Sequence, residues 1–382
     1  LRMGTTGLVA RALGGADRAA ASRVLARSGV LALVIALLVM ALSPLWLPAG
    51  FALMAPQPEL RPLADSYVGI RLCSAPAVLV TYAIVGWFIG RQNTRWPMVI
   101  VITTNIANIG LDFLLIVGLG MASDGAAIAT VIAEYLGLVV GLVAIRRSVT
   151  TFPSRSELQV LRSLGAYTKL LVSNANLFIR TLCLLASFAF FTAMGDNLGS
   201  DVLAANALLL HLMMLAAYGL DGFAFAAEGL TGHALGAGNM GDFYAAVRRC
   251  ARWCAMTAAT ISVVFLLSTG LLFPLLTDLP AVRGEMYAVA IWLIFLPVIA
   301  APSYLLDGVF IGSAETRPMM LTMLGSTLGV YLPVWYFTQP WGNHGLWLAF
   351  AAFNGARGAT LWVVYRQRTR ANAWLENAPA HN

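Results

Sequence analysis

GWFIGRQNTRWPM, residues 86 to 98, is echoed by GVFIGSAETRPMM, residues 308 to 320. Gly86, Phe88, Ile89, Gly90, Thr94 and Arg95 match Gly308, Phe310, Ile311, Gly312, Thr316 and Arg317 at a constant spacing of 222 residues. Each copy closes one apolar run of membrane-spanning length and opens the next. A second echo pairs GLVARALGGAD (7 to 17) with GLTGHALGAGN (229 to 239), and a third pairs Gly125 and Arg146 with Gly345 and Arg366. Three echoes in one order mark an internal duplication. Matched segments run in the same direction, so the halves are expected to be parallel repeats about an axis along the membrane normal, enclosing a central cleft.

Composition agrees with a lipid solvent. With 59% hydrophobic residues, 11% charged and a mean hydropathy of +0.79, the chain has more apolar surface than a soluble core of 382 residues buries. Apolar runs predict ten complete spans, near 28 to 51, 67 to 89, 97 to 119, 124 to 145, 168 to 193, 203 to 227, 252 to 276, 287 to 311, 318 to 339 and 343 to 365. The fold class is therefore an all-α polytopic membrane protein of two helical bundles.

A net charge of +7 at first suggests nucleic acid, but the basic residues sit in short clusters between spans. One set of joining segments holds Arg11, Arg18, Arg23 and Arg27, then Arg91 and Arg95, Arg146 to Lys169, Arg248 to Arg252, Arg317, and Arg366 to Arg370. The alternate set is mostly acidic, with Asp124, Asp196, Asp201, Asp278 and Glu285. The positive-inside rule makes the first set cytoplasmic, with both ends of this chain inside a bacterial inner membrane.

The longest polar linker divides a first bundle (1–145) from a six-helix second bundle (168–365), with a linker at 146–167 and a basic tail at 366–382. Aligned with the second half, the first has four spans and a stub. The parent is expected to have twelve spans, with the first helix and most of the second absent here.

A charge near the bilayer centre costs about 2.5 to 3.5 kcal/mol on insertion scales, so each intramembrane charge asks for a partner or a function. Asn105, Asn108 and Asp112 fall at i, i+3 and i+7 on one helix face, and Thr130 and Glu134 form an i, i+4 pair on the next span. All five are candidates for a cation-coupling site in the outer half of the bilayer, because such surroundings tune a carboxylate to take up and release a proton. The competing expectation is that Arg71, at similar depth, holds Asp112 in a permanent ion pair.

In the second bundle Asp221 and Asp307 lie toward the cytoplasmic ends of their spans, and Glu228 lies at the membrane border. Arg180 and Arg357 are deeper and available to neutralise the two aspartates as structural ion pairs. The alternative for this group is a cleft lining that selects charged substrates. Pro76, Pro297, Pro302 and Pro333 fall inside spans, where they kink helices as hinges or as packing devices.

Cys73, Cys183, Cys250 and Cys254 have neither metal-ligand nor disulfide spacing, and none of the four histidines sits in an HExxH motif. No P-loop or GxSxG elbow is present, which leaves ATP-driven transport and soluble-type hydrolysis without support. The expectation is a non-enzyme without cofactor or metal, driven by a proton or sodium gradient. Its partners are a small-molecule substrate and membrane lipid, with no nucleic acid and a monomeric state.

Several blocks together resemble the DinF-like branch of the multidrug and toxin extrusion (MATE) transporters: LRMGTTGL (1 to 8), Ile70-Arg71 with Ser74 to Ala77, NIANIGLD (105 to 112), GAAIATVIAEY (125 to 135), LGSD (198 to 201), YGLDGFAFAAEG (218 to 229) and LLDGVFIG (305 to 312). The resemblance implies a V-shaped pair of bundles that exports drugs, toxins or metabolites in exchange for protons or sodium. It also implies an ion site in the first bundle at Asn108, Asp112 and Thr130, with a further acid on the first family helix, which this sequence lacks. The leading expectation is a cation-coupled antiporter working by alternating access. The alternatives are a lipid-linked precursor flippase, related in plan, and an inactive truncated fragment.

Overall fold

A computed structural model describes residues 1–54, 59–149 and 164–375. The regular structure of these residues is entirely helical, and they fall into two units, Leu1–Leu170 and Leu171–Asn382. Most of the expected linker, from 150 to 163, and the end of the tail, from 376, lie outside the described residues.

The first unit contains α1 (Arg2–Gly14), α2 (Arg18–Ala41), α3 (Ser43–Met54), α4 (Arg61–Leu72), α5 (Ala75–Gly90), α6 (Arg95–Asp112) and α7 (Ala122–Ser148). A π-helical segment, Phe113–Gly118, continues α6. The second unit contains α8 (Thr168–Asp196), α9 (Ser200–Gly236), α10 (Met240–Leu276), α11 (Pro280–Gly312), α12 (Thr316–Ser326), α13 (Leu332–Thr338) and α14 (Asn343–Arg370). Here the π segment, Thr327–Tyr331, joins α12 to α13.

Eight of these stretches are long and apolar enough to cross a membrane, or nine if α4 and α5, bent by 48° at Cys73 and Ser74, form one span. That is short of the expected ten. The difference is α14, which is 28 residues long but carries Asn354, Arg357 and a run of Gly and Ala in place of large apolar residues. Its inner face packs Trp347, Phe350 and Phe353 into the core of the second unit, so it has less need of a lipid-facing apolar surface.

Several helices also run past the apolar windows. The span expected at 28 starts at Arg18, where the Asp17 carboxylate caps α2 by accepting from the Ala20 N–H at 2.7 Å. Likewise α9 continues to Gly236 and α10 begins at Met240. Hydropathy sees only the lipid-exposed part of such helices, whereas backbone hydrogen bonding carries the helix on through its polar end.

The duplication is visible in the backbone. Left-handed residues close equivalent turns at Ala16 and Gly238, at Gln92 and Ala314, and at Ala122 and Gly342. These pairs are separated by 222, 222 and 220 residues, the spacings of the sequence echoes. The hydrogen bonds repeat too: the Asp17 N–H donates to Ala12 O, the Asn239 N–H to Ala234 O, the Asn93 N–H to Phe88 O and the Glu315 N–H to Phe310 O.

Small residues explain why the GxFIG blocks are kept. A Cβ at Gly86 would collide with the carbonyl oxygen of Arg2, and one at Gly90 would lie 2.8 Å from that of Thr6. In the second unit a Cβ at Gly308 would collide with the carbonyl of Ala224, and one at Gly312 would lie 2.5 Å from that of Glu228. The partners Arg2 and Ala224, and Thr6 and Glu228, are again 222 apart. Each block is a surface that brings two helix backbones into direct contact.

The prolines divide. Pro76 sits in the first turn of α5, just after the break, where its missing N–H costs little. Pro297 and Pro302 lie within α11, which stays continuous through both. Pro333 opens α13 directly after the second π segment. The tail begins as helix, since α14 extends to Arg370, and Trp374 then folds back onto Phe243, Phe310 and Tyr365.

Candidate functional site

Two clusters of polar side chains form, one inside each unit. In the first, α6 ends on Asp112 and gives way at once to the π turn. Such segments are frequent at functional sites because the extra residue disturbs the ladder of carbonyl partners. Asn108, one turn earlier, donates its Nδ2 to Thr130 Oγ1 on α7 at 3.3 Å, and Thr130 donates to Ala126 O at 2.8 Å. Asp112 is half-buried, and its Oδ1 has no hydrogen-bond partner among the described residues. Asn105 shares the helix face by spacing but is exposed and stands apart from these bonds.

The expected ion pair between Arg71 and Asp112 does not form. Arg71 instead grips Glu134 with both terminal nitrogens, at 2.8 and 3.1 Å. The reason is helix packing: α4 lies against α7, which carries Glu134, while Asp112 is on α6. Glu134 therefore separates from the candidate coupling group, and Asp112 keeps its unpaired oxygen. Ser74 and Tyr135, which sequence reasoning missed, complete this contact. Arg71 Nη1 also donates to Ser74 Oγ at 3.2 Å, and the Tyr135 hydroxyl donates to the Cys73 carbonyl at 3.0 Å. The Ser74 partner was foreseeable as i+3 of Arg71, but nothing in the sequence signals the Tyr135 contact.

The second unit treats its charges differently. Asp307 on α11 accepts hydrogen bonds from Arg180 on α8 and from Arg357 Nη2 on α14, the latter at 3.1 Å. Arg357 Nη1 donates to Asn354 Oδ1 at 3.1 Å. Relative exposures of 6, 8 and 4% for Arg180, Asp307 and Arg357 put all three out of reach of bulk solvent, where an unpaired charge is costly. Tyr304, another residue not singled out in advance, lies within electrostatic reach of Asp221, Asp307, Arg180 and Arg357.

Asp307 is thus held by two arginines, and Asp221 lies within electrostatic reach of Tyr304 beside them. Glu228, expected at the membrane border, is buried at the close contact of α9 with Gly312, and it and Asp221 are engaged by neighbouring groups. Among the described residues no three His, Cys, Asp or Glu side chains converge as metal ligands would.

The family model described as MatE matches residues 1–114 and 177–337. DNA damage-inducible protein F of Escherichia coli K12 is 36% identical over 376 residues, covering 98% of this chain and 82% of that protein. Protein DETOXIFICATION 43 of Arabidopsis thaliana is 25% identical over 324 residues, covering 83% of this chain and 59% of that protein. Among solved structures, the chain is similar to MATE in the straight conformation, with a TM-score of 0.85 at 20% identity, covering 97% of this chain and 83% of that one. It is also similar to the Vibrio cholerae MATE transporter VcmN in the bent form, with a TM-score of 0.83 at 20% identity, covering 98% and 85%.

Proposed function

The chain belongs to the MatE family, and from that membership we propose that it is a proton-coupled antiporter with Asp112 as its coupling carboxylate. At family level it is a multi-pass membrane transporter and not an enzyme. The finer reading is export of drugs, toxins or metabolites by alternating access, from a monomer in a bacterial inner membrane. The same reading takes α14 as the tenth crossing and sets both ends of this chain on the cytoplasmic side, following the basic clusters.

The observation that carries the coupling role is the unpaired oxygen of Asp112, next to the π turn and one helical turn from the Asn108–Thr130 bond. An ionised carboxylate without a partner in the membrane is costly, and proton uptake that removes the charge gives the protein a means of shifting between two states. Glu134 and Asp307, by contrast, already accept ionic hydrogen bonds from arginines. Asn108 and Thr130 hold α6 against α7 beside the carboxylate and supply polar contacts as its charge changes.

The test is gradient-driven export by the purified chain in lipid vesicles, using a panel of cationic dyes and organic acids. Export that rises with an imposed pH gradient and collapses with a protonophore is expected. Flux indifferent to the gradient would overturn the reading. Movement of a fluorescent lipid-linked probe in place of the dyes would favour a flippase, a reading that the pairing of Arg180 and Arg357 with Asp307 does not encourage.

A further inference from the structure

We infer that the Arg71–Glu134 pair is a positioning device for transport: it ties the break between α4 and α5 to α7, and so links the angle of that break to the charge on Asp112. The inference rests on the reading of Asp112 as the coupling carboxylate. It adds residues that act through Asp112 and do not themselves carry the proton.

The break is two residues wide, at Cys73 and Ser74, and bends the span by 48°. Consecutive residues of α7 hold the end of α4 and the break itself. Glu134 binds Arg71, which itself binds Ser74, and Tyr135 binds the Cys73 carbonyl. One turn earlier on α7, Thr130 accepts from Asn108, and one turn after Asn108 comes Asp112. A chain of direct bonds and single helical turns therefore runs from Ser74 through Arg71, Glu134, Thr130 and Asn108 to Asp112.

The contact between α6 and α7 is close at Gly137, which meets Thr104 so closely that a Cβ there would collide with its hydroxyl. A displacement of α6 that follows a change of charge at Asp112 is passed to α7 and from there to the break. The other titratable or charged groups on these elements are Arg61, Asp65 and Tyr67 on α4, Tyr82 on α5, Arg95 on α6, and Asp124, Tyr135, Arg146 and Arg147 on α7, with Cys73 at the break; of these, Tyr67 lies within electrostatic reach of Arg71.

The second unit provides an internal control. At the 222-residue spacing Leu293 stands for Arg71, and at the 220-residue spacing that relates α7 to α14 Asn354 stands for Glu134. There is no ion pair of this kind between those positions, and α11 is continuous although it contains two prolines. Among the described residues, break and bracket occur together in the first unit, and neither is present at the matched positions of the second.

Cys73 is exposed at the break and reports on it. With Cys183, Cys250 and Cys254 replaced by alanine, its rate of reaction with N-ethylmaleimide is measured in detergent for the parent, Asp112→Asn, Glu134→Gln and the double variant. Asp112→Asn is expected to change the rate by about fivefold when Glu134 is present and by less than about 1.5-fold when it is Gln, the signature of coupled sites. Arg71→Gln with Glu134→Gln removes both charges without leaving one buried alone, and is expected to lose the coupling while folding normally. Exchanging the charges, Arg71→Glu with Glu134→Arg, is expected to restore it.

The same factor for Asp112→Asn in every background, or no effect of Asp112→Asn on Cys73, would overturn the inference. Failure of the underlying reading is seen separately. If Asp112→Asn keeps its gradient-driven export, Asp112 is not the coupling group, whatever Cys73 shows.

Discussion

The two units share one framework and use charge in opposite ways. Both have left-handed turns at matched positions, both place a GxFIG surface against a neighbouring helix, and both contain a π segment in the helix after that surface. Yet in the first unit Asp112 keeps an unpaired oxygen, whereas in the second Asp307 is paired with both Arg180 and Arg357. Duplication supplies the scaffold twice. On the proposed reading, one copy leaves a carboxylate oxygen unpaired for coupling while the other pairs its aspartate with arginines.

Stability should separate the units most sharply at their aspartates. Asp307→Ala leaves two buried guanidiniums facing each other and is expected to cost about 3 to 5 kcal/mol, read as a large fall in thermal stability in detergent. Asp112→Asn is expected to cost almost nothing in the same measurement, because its unpaired oxygen has no hydrogen bond to lose. Equal losses at the two positions would break the contrast between a working unit and a scaffold unit.

The shared framework predicts equality where the charges predict difference. Gly86→Ala and Gly308→Ala each force a methyl group into a facing carbonyl, and each is expected to destabilise by about 1 to 3 kcal/mol. A clear inequality between them would show that the matched contacts are not equivalent. The smallest effect belongs to Thr130→Val, which removes the acceptor for Asn108 at a cost of about 1 kcal/mol. In gradient-driven export it is expected to appear as a roughly fivefold loss, with little change in thermal stability.

Much of the framework was legible because it rests on glycine. The spacing of 222 between Gly86 and Gly308 predicts two related halves, and the same residues make the helix contacts. The turns were hidden, since Ala16, Gln92, Ala122 and Ala314 adopt the left-handed region without being glycine. Span lengths were underestimated wherever a helix continues past the lipid, as at Arg18 and Gly236. At the candidate site, Asn108 and Thr130 could be brought together from their spacing and depth. The partner of Arg71 could not, because choosing Glu134 over Asp112 depends on whether α4 packs on α7 or on α6, and periodicity does not encode which helices are neighbours.

The central claim is that one carboxylate, Asp112, couples transport to the proton gradient. Its most direct test is the Asp112→Asn variant of this chain, purified, reconstituted in lipid vesicles and given a pH gradient, with export of a cationic dye followed in time. The expected result is a folded protein whose dye flux no longer responds to the gradient. Gradient-driven export at the parent rate would contradict the account.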